Sequence, residues 1–186
     1  MKGRKIIAVL GLPGSGKSEV IKFLMKKCGW PKVYFGEPTF EELERLKLPV
    51  TEKNERMVRE NLRKKYGVGY YGEQAIKKIG TIKGRKNIML ESFYTWAEYL
   101  MFKKKFKSDF ITIAIYASPK TRYARLARRK KRPLAENEAR SRDHTQIENL
   151  LQGGPIAMAD HTIINENSKA SLARQIDKII KKLAKA

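Results

Sequence analysis

The stretch Gly11-Leu12-Pro13-Gly14-Ser15-Gly16-Lys17-Ser18 satisfies every fixed position of GxxxxGK(S/T), and the apolar run Ile6-Ile7-Ala8-Val9-Leu10 leads straight into it. Glycines at these positions let the backbone curl tightly, so that successive N–H groups and the start of the next helix face one anion. In such a loop Gly11, Leu12, Pro13, Gly14, Ser15 and Gly16 wrap the phosphates of a purine nucleoside triphosphate. Lys17 reaches the β- and γ-phosphates, and the Ser18 hydroxyl ligates Mg²⁺. Buried strand, phosphate loop and a helical run from Lys17 to about Cys28 together commit the chain to an α/β fold with the loop at the carboxyl end of its first strand.

The remaining pattern fits that frame. Short β-branched runs alternate with helical ones, which is the signature of a parallel sheet covered on both faces. Lys32-Val33-Tyr34-Phe35, Asn87-Ile88-Met89-Leu90, Phe110 to Tyr116 and His161-Thr162-Ile163-Ile164 read as four further strands. Gly36-Glu37-Pro38 ends the second strand, and a helix is expected to start at Thr39. A polar, mostly helical stretch from Thr51 to about Gly80 follows, interrupted by Gly67 to Gly72. Helices are expected from Thr95 to about Phe106, from Ser118 onward with Arg122, Arg125, Arg128 and Arg129, from about Ala135 to Leu150 with Arg140, Arg142 and Asp143, and from Ser168 to Leu183. The carboxyl ends of the strands then carry the phosphate loop, Glu37, Glu91 and Asn165.

A chain of 186 residues suits one domain with appended segments. No run of eighteen apolar residues is present, and the expectation is a cytoplasmic protein that engages no membrane. A single cysteine, Cys28, leaves neither an internal disulfide nor a cysteine metal cluster, and it is expected to pack at the end of the first helix. His144 and His161 lack the acidic companions of a metal site. Forty-one Lys and Arg against nineteen Asp and Glu give a formal charge of +22. That excess is read either as solvated helix faces or as a surface for nucleic acid.

From the phosphate loop to Asn165 the chain resembles a small, mostly archaeal P-loop kinase family, adenylate-kinase-related and dephospho-CoA-kinase-like. The resemblance rests on GLPGSGK at Gly11 to Lys17 and Leu62-Arg63-Lys64-Lys65-Tyr66-Gly67 for LREKYG. It continues with Ser118-Pro119-Lys120-Thr121-Arg122 for SPKTR, Arg142-Asp143 for RD, and Ala157 to Asn165 for AxADYxIxN. It implies a nucleotide-kinase-like core of five parallel strands (1–36, 81–121 and 150–186), an acceptor-side helical insertion over 37–80 and an arginine-bearing lid over 122–149. The cofactors would be ATP and Mg²⁺. Arg125, Arg129 and Arg132 are the lid candidates, with Arg142 approaching the phosphates from the next helix. Each of these arginines has the alternative reading of a solvated helix face. Asn165 would line the adenine pocket, and Glu91 would hold the Mg²⁺ shell beside Ser18.

Two departures from the family pattern bear on the acceptor. An Asp after the second strand is replaced by Glu37, and the DGxR at the end of the third strand reads Glu91-Ser92-Phe93-Tyr94. Glu37 retains a carboxylate that can take a proton from a hydroxyl. The arginine lost at Tyr94 would be replaced by Arg59, Arg63 or Arg85, or else the acceptor has changed. Phe93, Tyr94, Trp96 and Tyr99 are either core or, for Phe93 and Tyr94, a platform for an acceptor base. The leading reading is transfer of the γ-phosphoryl of MgATP to a nucleotide-like acceptor, dephospho-CoA or a nucleoside monophosphate, with Lys17, Glu37, Arg129, Arg132 and Arg142 as catalytic residues. The competing reading is an ATP-dependent switch or polynucleotide kinase acting with nucleic acid or ribonucleoprotein. No NKxD-type segment supports guanine specificity.

Overall fold

A computed structural model describes residues 4–130 and 133–184. Five strands form one parallel sheet: β1 (Ile6–Leu10), β2 (Lys32–Tyr34), β3 (Ile88–Glu91), β4 (Phe110–Tyr116) and β5 (His161–Ile164), in the order β2-β3-β1-β4-β5. Every residue of β1 is buried, as expected for a central strand covered on both faces. Its alternation sends Ile6, Ala8 and Leu10 to one hydrophobic cluster and Ile7 and Val9 to the other.

The face of Ile7 and Val9 is covered by α1 (Lys17–Cys28) and α9 (Lys169–Leu183), through Val20, Ile21, Leu24, Leu172, Ile176 and Ile179. The opposite face is covered by α2 (Glu37–Arg45), α3 (Glu52–Tyr66), α4 (Tyr70–Thr81) and α5 (Trp96–Phe106). Beyond β4 come α6 (Pro119–Ala127), α7 (Glu136–Glu148) and the short α8 (Gly153–Ala157). The chain leaves β1 for the β2 edge, returns to β3 and then crosses to β4, so the order reverses around β1. Ligands of open α/β sheets collect outside the carboxyl ends at such a point.

Helix boundaries follow local chemistry. The α5 start is a capping box: the Thr95 hydroxyl accepts the Glu98 N–H (3.1 Å) and the Glu98 carboxylate accepts the Thr95 N–H (3.0 Å). Glu98 is 1% exposed, and this burial pushes its carboxyl pKa up against the pull of those N–H groups. One boundary differs from expectation. Helix α2 begins at Glu37 rather than Thr39, because Pro38 lies in the first turn, where its fixed φ and missing N–H suit a helix start. The short α8 falls in a Gly-Gly-Pro segment between the helix and the strand that the sequence pattern predicts.

The aromatic set divides. Phe93 is fully buried, with ring centroids 5.3 Å from Phe35, 5.4 Å from Phe102 and 5.6 Å from Phe110. It is core and is withdrawn as a base platform. Tyr99 is buried as well, stacked on Trp96 at 5.0 Å. Tyr94 is half-buried.

Candidate nucleotide site

The phosphate loop is held open by glycines that nothing larger could replace. Gly11, Gly14 and Gly16 all have positive φ, at 139°, 79° and 104°. A Cβ on Gly11 would lie 2.5 Å from the Ile115 carbonyl, one on Gly14 would lie 2.7 Å from the Arg122 carbonyl, and one on Gly16 would collide with the Asn165 side-chain amide. The loop is thus clamped between the end of β4, the start of α6 and the end of β5.

Side chains of α6, α7 and the segment after β5 make that clamp. Arg122, 3% exposed, bonds both carboxylate oxygens of Asp143 (2.9 and 2.7 Å), and also reaches the carbonyls of Ala117 and Pro13 (3.1 Å each). Tyr123 donates to the same carboxylate at 2.9 Å. Asn165 donates its side-chain amide to the Ser15 carbonyl at 2.8 Å, while its own carbonyl accepts from Arg125 at 2.8 Å. Glu166 accepts from the Ser118 N–H and from the Thr121 hydroxyl (2.6 Å), tying the end of β5 to the start of α6. Arg122, the first residue of the region expected as a lid, is a buried strut that fastens α6, α7 and the phosphate loop together.

Lys17 rests on its own loop, donating to the carbonyls of Gly11 (2.5 Å) and Leu12 (3.1 Å). Its pKa falls from 10.5 to about 7, first because burial disfavours the ammonium and then because Arg129, Arg142 and Arg122 bring positive charge to it. Asp143 opposes that shift. Arg129, after α6, and Arg142, on α7, are exposed, and both are near enough to act electrostatically on Lys17. Lys17, Arg129 and Arg142 are brought together. Arg132 lies outside the described residues.

The site also uses Gln152, which the sequence gives no reason to notice. It is fully buried at the start of α8 and donates to the Gly11 carbonyl at 3.3 Å, the same oxygen that holds Lys17. When Lys17 turns to phosphate, that carbonyl keeps a donor only through Gln152. A Gln152→Leu variant is expected to weaken ATP binding about five- to tenfold, the equivalent of one lost hydrogen bond. Its melting temperature should not fall, since leucine also removes the unpartnered Gln152 Oε1. Calorimetric titration and thermal melting check both, and unchanged ATP affinity would remove Gln152 from the site.

On the metal side, the β1–β3 register pairs Ala8 with Leu90 and so sets Glu91 beside Val9, at the strand end next to the loop. Its carboxylate holds Lys32 at 2.5 Å. Ser18 is exposed on the first turn of α1. A hydroxyl on the first turn of α1 and a carboxylate at the end of β3 fit a Mg²⁺ with retained waters, and Lys32 is the cation it would displace from Glu91. Ser92 follows at φ 65°, the left-handed conformation that glycine takes most readily. It stands where the DGxR pattern has its glycine.

Glu37 is placed differently from the phosphate cluster. It stands at the start of α2, beyond β2 and two strands from β1, and pairs with Lys78 of α4. The two line a groove of about 300 Å³ against β2, with Tyr34, Glu41, Gln74 and Lys77. Of the three arginines considered as replacements at Tyr94, Arg85 lies in the loop entering β3, at the opposite end of the sheet, and is withdrawn. Arg59 is paired with Glu52 and Glu55. Arg63 lies over the Tyr71 ring at 5.0 Å, and the Tyr71 hydroxyl is 2.8 Å from Thr39 Oγ1.

A sheet in this order with a lysine-bearing loop after β1 agrees with comparisons to known proteins. A family model described as AAA domain matches residues 10–150. A UPF0200 protein of Pyrococcus horikoshii is 32% identical over 182 residues, covering 96% of this chain and 97% of its own. The chain belongs to the AAA-domain family and to the UPF0200 proteins. Among solved structures, TT1252 from Thermus thermophilus superposes with a TM-score of 0.66 at 19% identity, over 97% of this chain and 98% of its own. A shikimate kinase from Bacteroides thetaiotaomicron superposes with a TM-score of 0.60 at 13% identity over the same shares. The UPF0200 chain therefore has a P-loop kinase-like fold. None of its described helices is long and apolar enough to cross a membrane.

Proposed function

We propose that this UPF0200 chain is an ATP-dependent phosphotransferase that moves the γ-phosphoryl of MgATP onto a small nucleotide-like acceptor. The observation that carries the reading is the phosphate loop itself, with Gly11, Gly14 and Gly16 at positive φ and Lys17 resting on its carbonyls; burial first, and then the charge of Arg129, Arg142 and Arg122, lowers the lysine pKa to about 7. Like charges gathered on one buried ammonium are unfavourable in the empty protein. A polyphosphate converts the same arrangement into attraction, and phosphoryl transfer depends above all on such positioning and charge neutralisation.

In this reading the N–H groups of the loop from Gly14 onward and Lys17 hold the phosphates, while Arg129 and Arg142 neutralise the transferring group. Arg132 would join them from the lid, and Arg125 and Asn165 would border the adenine side. When bound, Mg²⁺ would supply Lewis-acid charge to the phosphates, and Ser18 and Glu91 are the residues that would hold it. Glu37 with Lys78 offers the acceptor a carboxylate and an ammonium. Retaining that carboxylate without an arginine at Tyr94 favours a hydroxyl acceptor, because a hydroxyl needs a base whereas a phosphate acceptor needs cations. Dephospho-CoA, a hydroxyl acceptor, is on this ground preferred to a nucleoside monophosphate.

ADP formation by the purified protein, measured against dephospho-CoA, nucleoside monophosphates and short RNA or DNA, tests the reading. Acceptor-dependent turnover, abolished by Lys17→Ala, is expected. Slow hydrolysis indifferent to every small acceptor and stimulated only by nucleic acid would replace the kinase with a switch.

A further inference from the structure

The +22 charge is not spread evenly over the fold. Each helix that returns across a parallel sheet ends at the amino end of the strands, where cationic side chains in the last turn are favoured by the helix dipole. Helix α1 ends with Lys26 and Lys27, and α9 with Lys181 and Lys182. Helix α5 ends with Lys103, Lys104 and Lys105. The segments entering β3 and β4 bring Arg85, Lys86 and Lys107 to the same end.

Specific contacts join these groups into one surface. A Cβ on Gly29, which caps α1, would come within 2.9 Å of Lys86 Nζ. The Lys5 N–H donates to Asn87 at 2.9 Å and its ammonium reaches Asp109 at 3.2 Å, linking the entrances of β1, β3 and β4. Lys27 pairs with Asp177 at 2.6 Å, linking α1 to α9. The carboxylates at this end are thus already committed: Asp109 to Lys5, Asp177 to Lys27 and Asp160 to Lys103. Lys26, Arg85, Lys86, Lys104, Lys107 and Lys182 are all exposed.

We propose that this amino-end surface, opposite the phosphate loop, docks the phosphate backbone of a nucleic-acid duplex. Four strand spacings of ~4.8 Å span ~19 Å, over which a duplex presents about eleven phosphates. Tyr66 and Tyr116 are exposed but belong to the end of α3 and the far end of β4. The rings at this end, Trp30 and Phe106, are partly buried and packed against the two hydrophobic clusters, so they are not free to stack unpaired bases, which favours a duplex over a single strand, nor to anchor in a membrane. Because the surface and the nucleotide site lie at opposite ends of the strands, both can be occupied at once.

Fluorescence anisotropy of the full chain with labelled RNA and DNA duplexes of about twenty base pairs tests the assignment. Micromolar binding is expected at about 50 mM salt, falling steeply with a log–log slope near −4. The triple variant Lys26→Glu/Lys86→Glu/Lys182→Glu should weaken it at least thirtyfold and flatten the slope, leaving ATP affinity unchanged. If that variant does not fold, the milder Lys→Gln set at the same positions should weaken binding about tenfold. Absence of duplex binding at 50 mM salt, binding unaffected by the variants, or tighter binding to phosphatidylserine vesicles than to duplex would each overturn the proposal. ATP turnover is not a readout, so the kinase reading stands or falls separately.

Discussion

An Asp143→Ala variant is expected to lose about 3–5 kcal/mol of folding stability and, with it, most of its affinity for nucleotide. The magnitude follows from what remains after the deletion. Arg122 is 3% exposed and Asp143 4%, and their two parallel bonds at 2.9 and 2.7 Å form the bidentate geometry that guanidinium and carboxylate prefer. Without the carboxylate, a buried guanidinium keeps only the Ala117 and Pro13 carbonyls, and the Tyr123 hydroxyl loses its acceptor. The nucleotide effect follows because Arg122 is also the strut beneath Pro13 and Gly14, and because Asp143 is the one carboxylate that supports the Lys17 ammonium. Urea unfolding measures the first effect and calorimetric ATP titration the second. Replacing both partners, Arg122→Met with Asp143→Leu, should recover much of the stability but not the nucleotide binding, since a buried pair is costly to break and often neutral to replace. A loss below 1 kcal/mol in Asp143→Ala would show that the pair is solvated and does not hold the loop.

The distribution of legible and illegible features in this chain has a physical basis. The phosphate loop reads directly because its conformation depends on glycines at fixed spacing, and those are local requirements. The strands read nearly as well: a strand buried on both faces must be almost wholly apolar, as Ile6 to Leu10 is and as Phe110 to Ile115 is apart from Thr112, whose hydroxyl bonds Asp160. The roles of the arginines on and just after α6 do not read, because sequence presents Arg122, Arg125, Arg128 and Arg129 as one basic run. Tertiary packing separates them. Arg122 lies four residues before the buried Leu126 and so shares its inward stripe. Arg125 turns to the Asn165 carbonyl, and Arg128 and Arg129 remain outside. The spacing to Leu126 was the available signal. Gln152 left none, since its role comes from a contact across 141 positions of sequence. Charge shows the same limit: composition gives the sum of +22, while only the return direction of the helices places much of it at one end of the sheet.

The affinity for ATP should fall as pH rises above 7, with close to one proton taken up per ATP bound between pH 8 and 9. In the empty protein Lys17 has its pKa lowered to about 7, burial first and the neighbouring arginines after it, so at pH 8.5 most molecules carry a neutral amine there. The phosphates stabilise the ammonium and return the pKa toward its ordinary value, so binding must draw a proton from solvent. Proton uptake on binding makes the dissociation constant increase with pH, by up to tenfold per unit in the window above the free pKa and below the bound one. Below pH 7 the lysine is already charged, and its contribution to this dependence vanishes. For folding the sign reverses: the lowered pKa means that the unfolded chain binds the additional proton between about 7 and 10.5, so this group makes the empty protein more stable as pH rises. Stability and ATP affinity should therefore move in opposite directions with pH. ATP titrations at pH 8.5 in buffers of different ionisation enthalpy read the uptake directly, in a range where the nucleotide itself no longer titrates. Lys17→Arg, which keeps a permanent charge, should abolish the uptake, and Lys17→Met should remove binding altogether. Uptake that persists in Lys17→Arg would place the titrating group elsewhere. No uptake in the wild type would mean that Lys17 is charged before the phosphates arrive, and that neither its burial nor the neighbouring arginines lower its pKa in the empty protein.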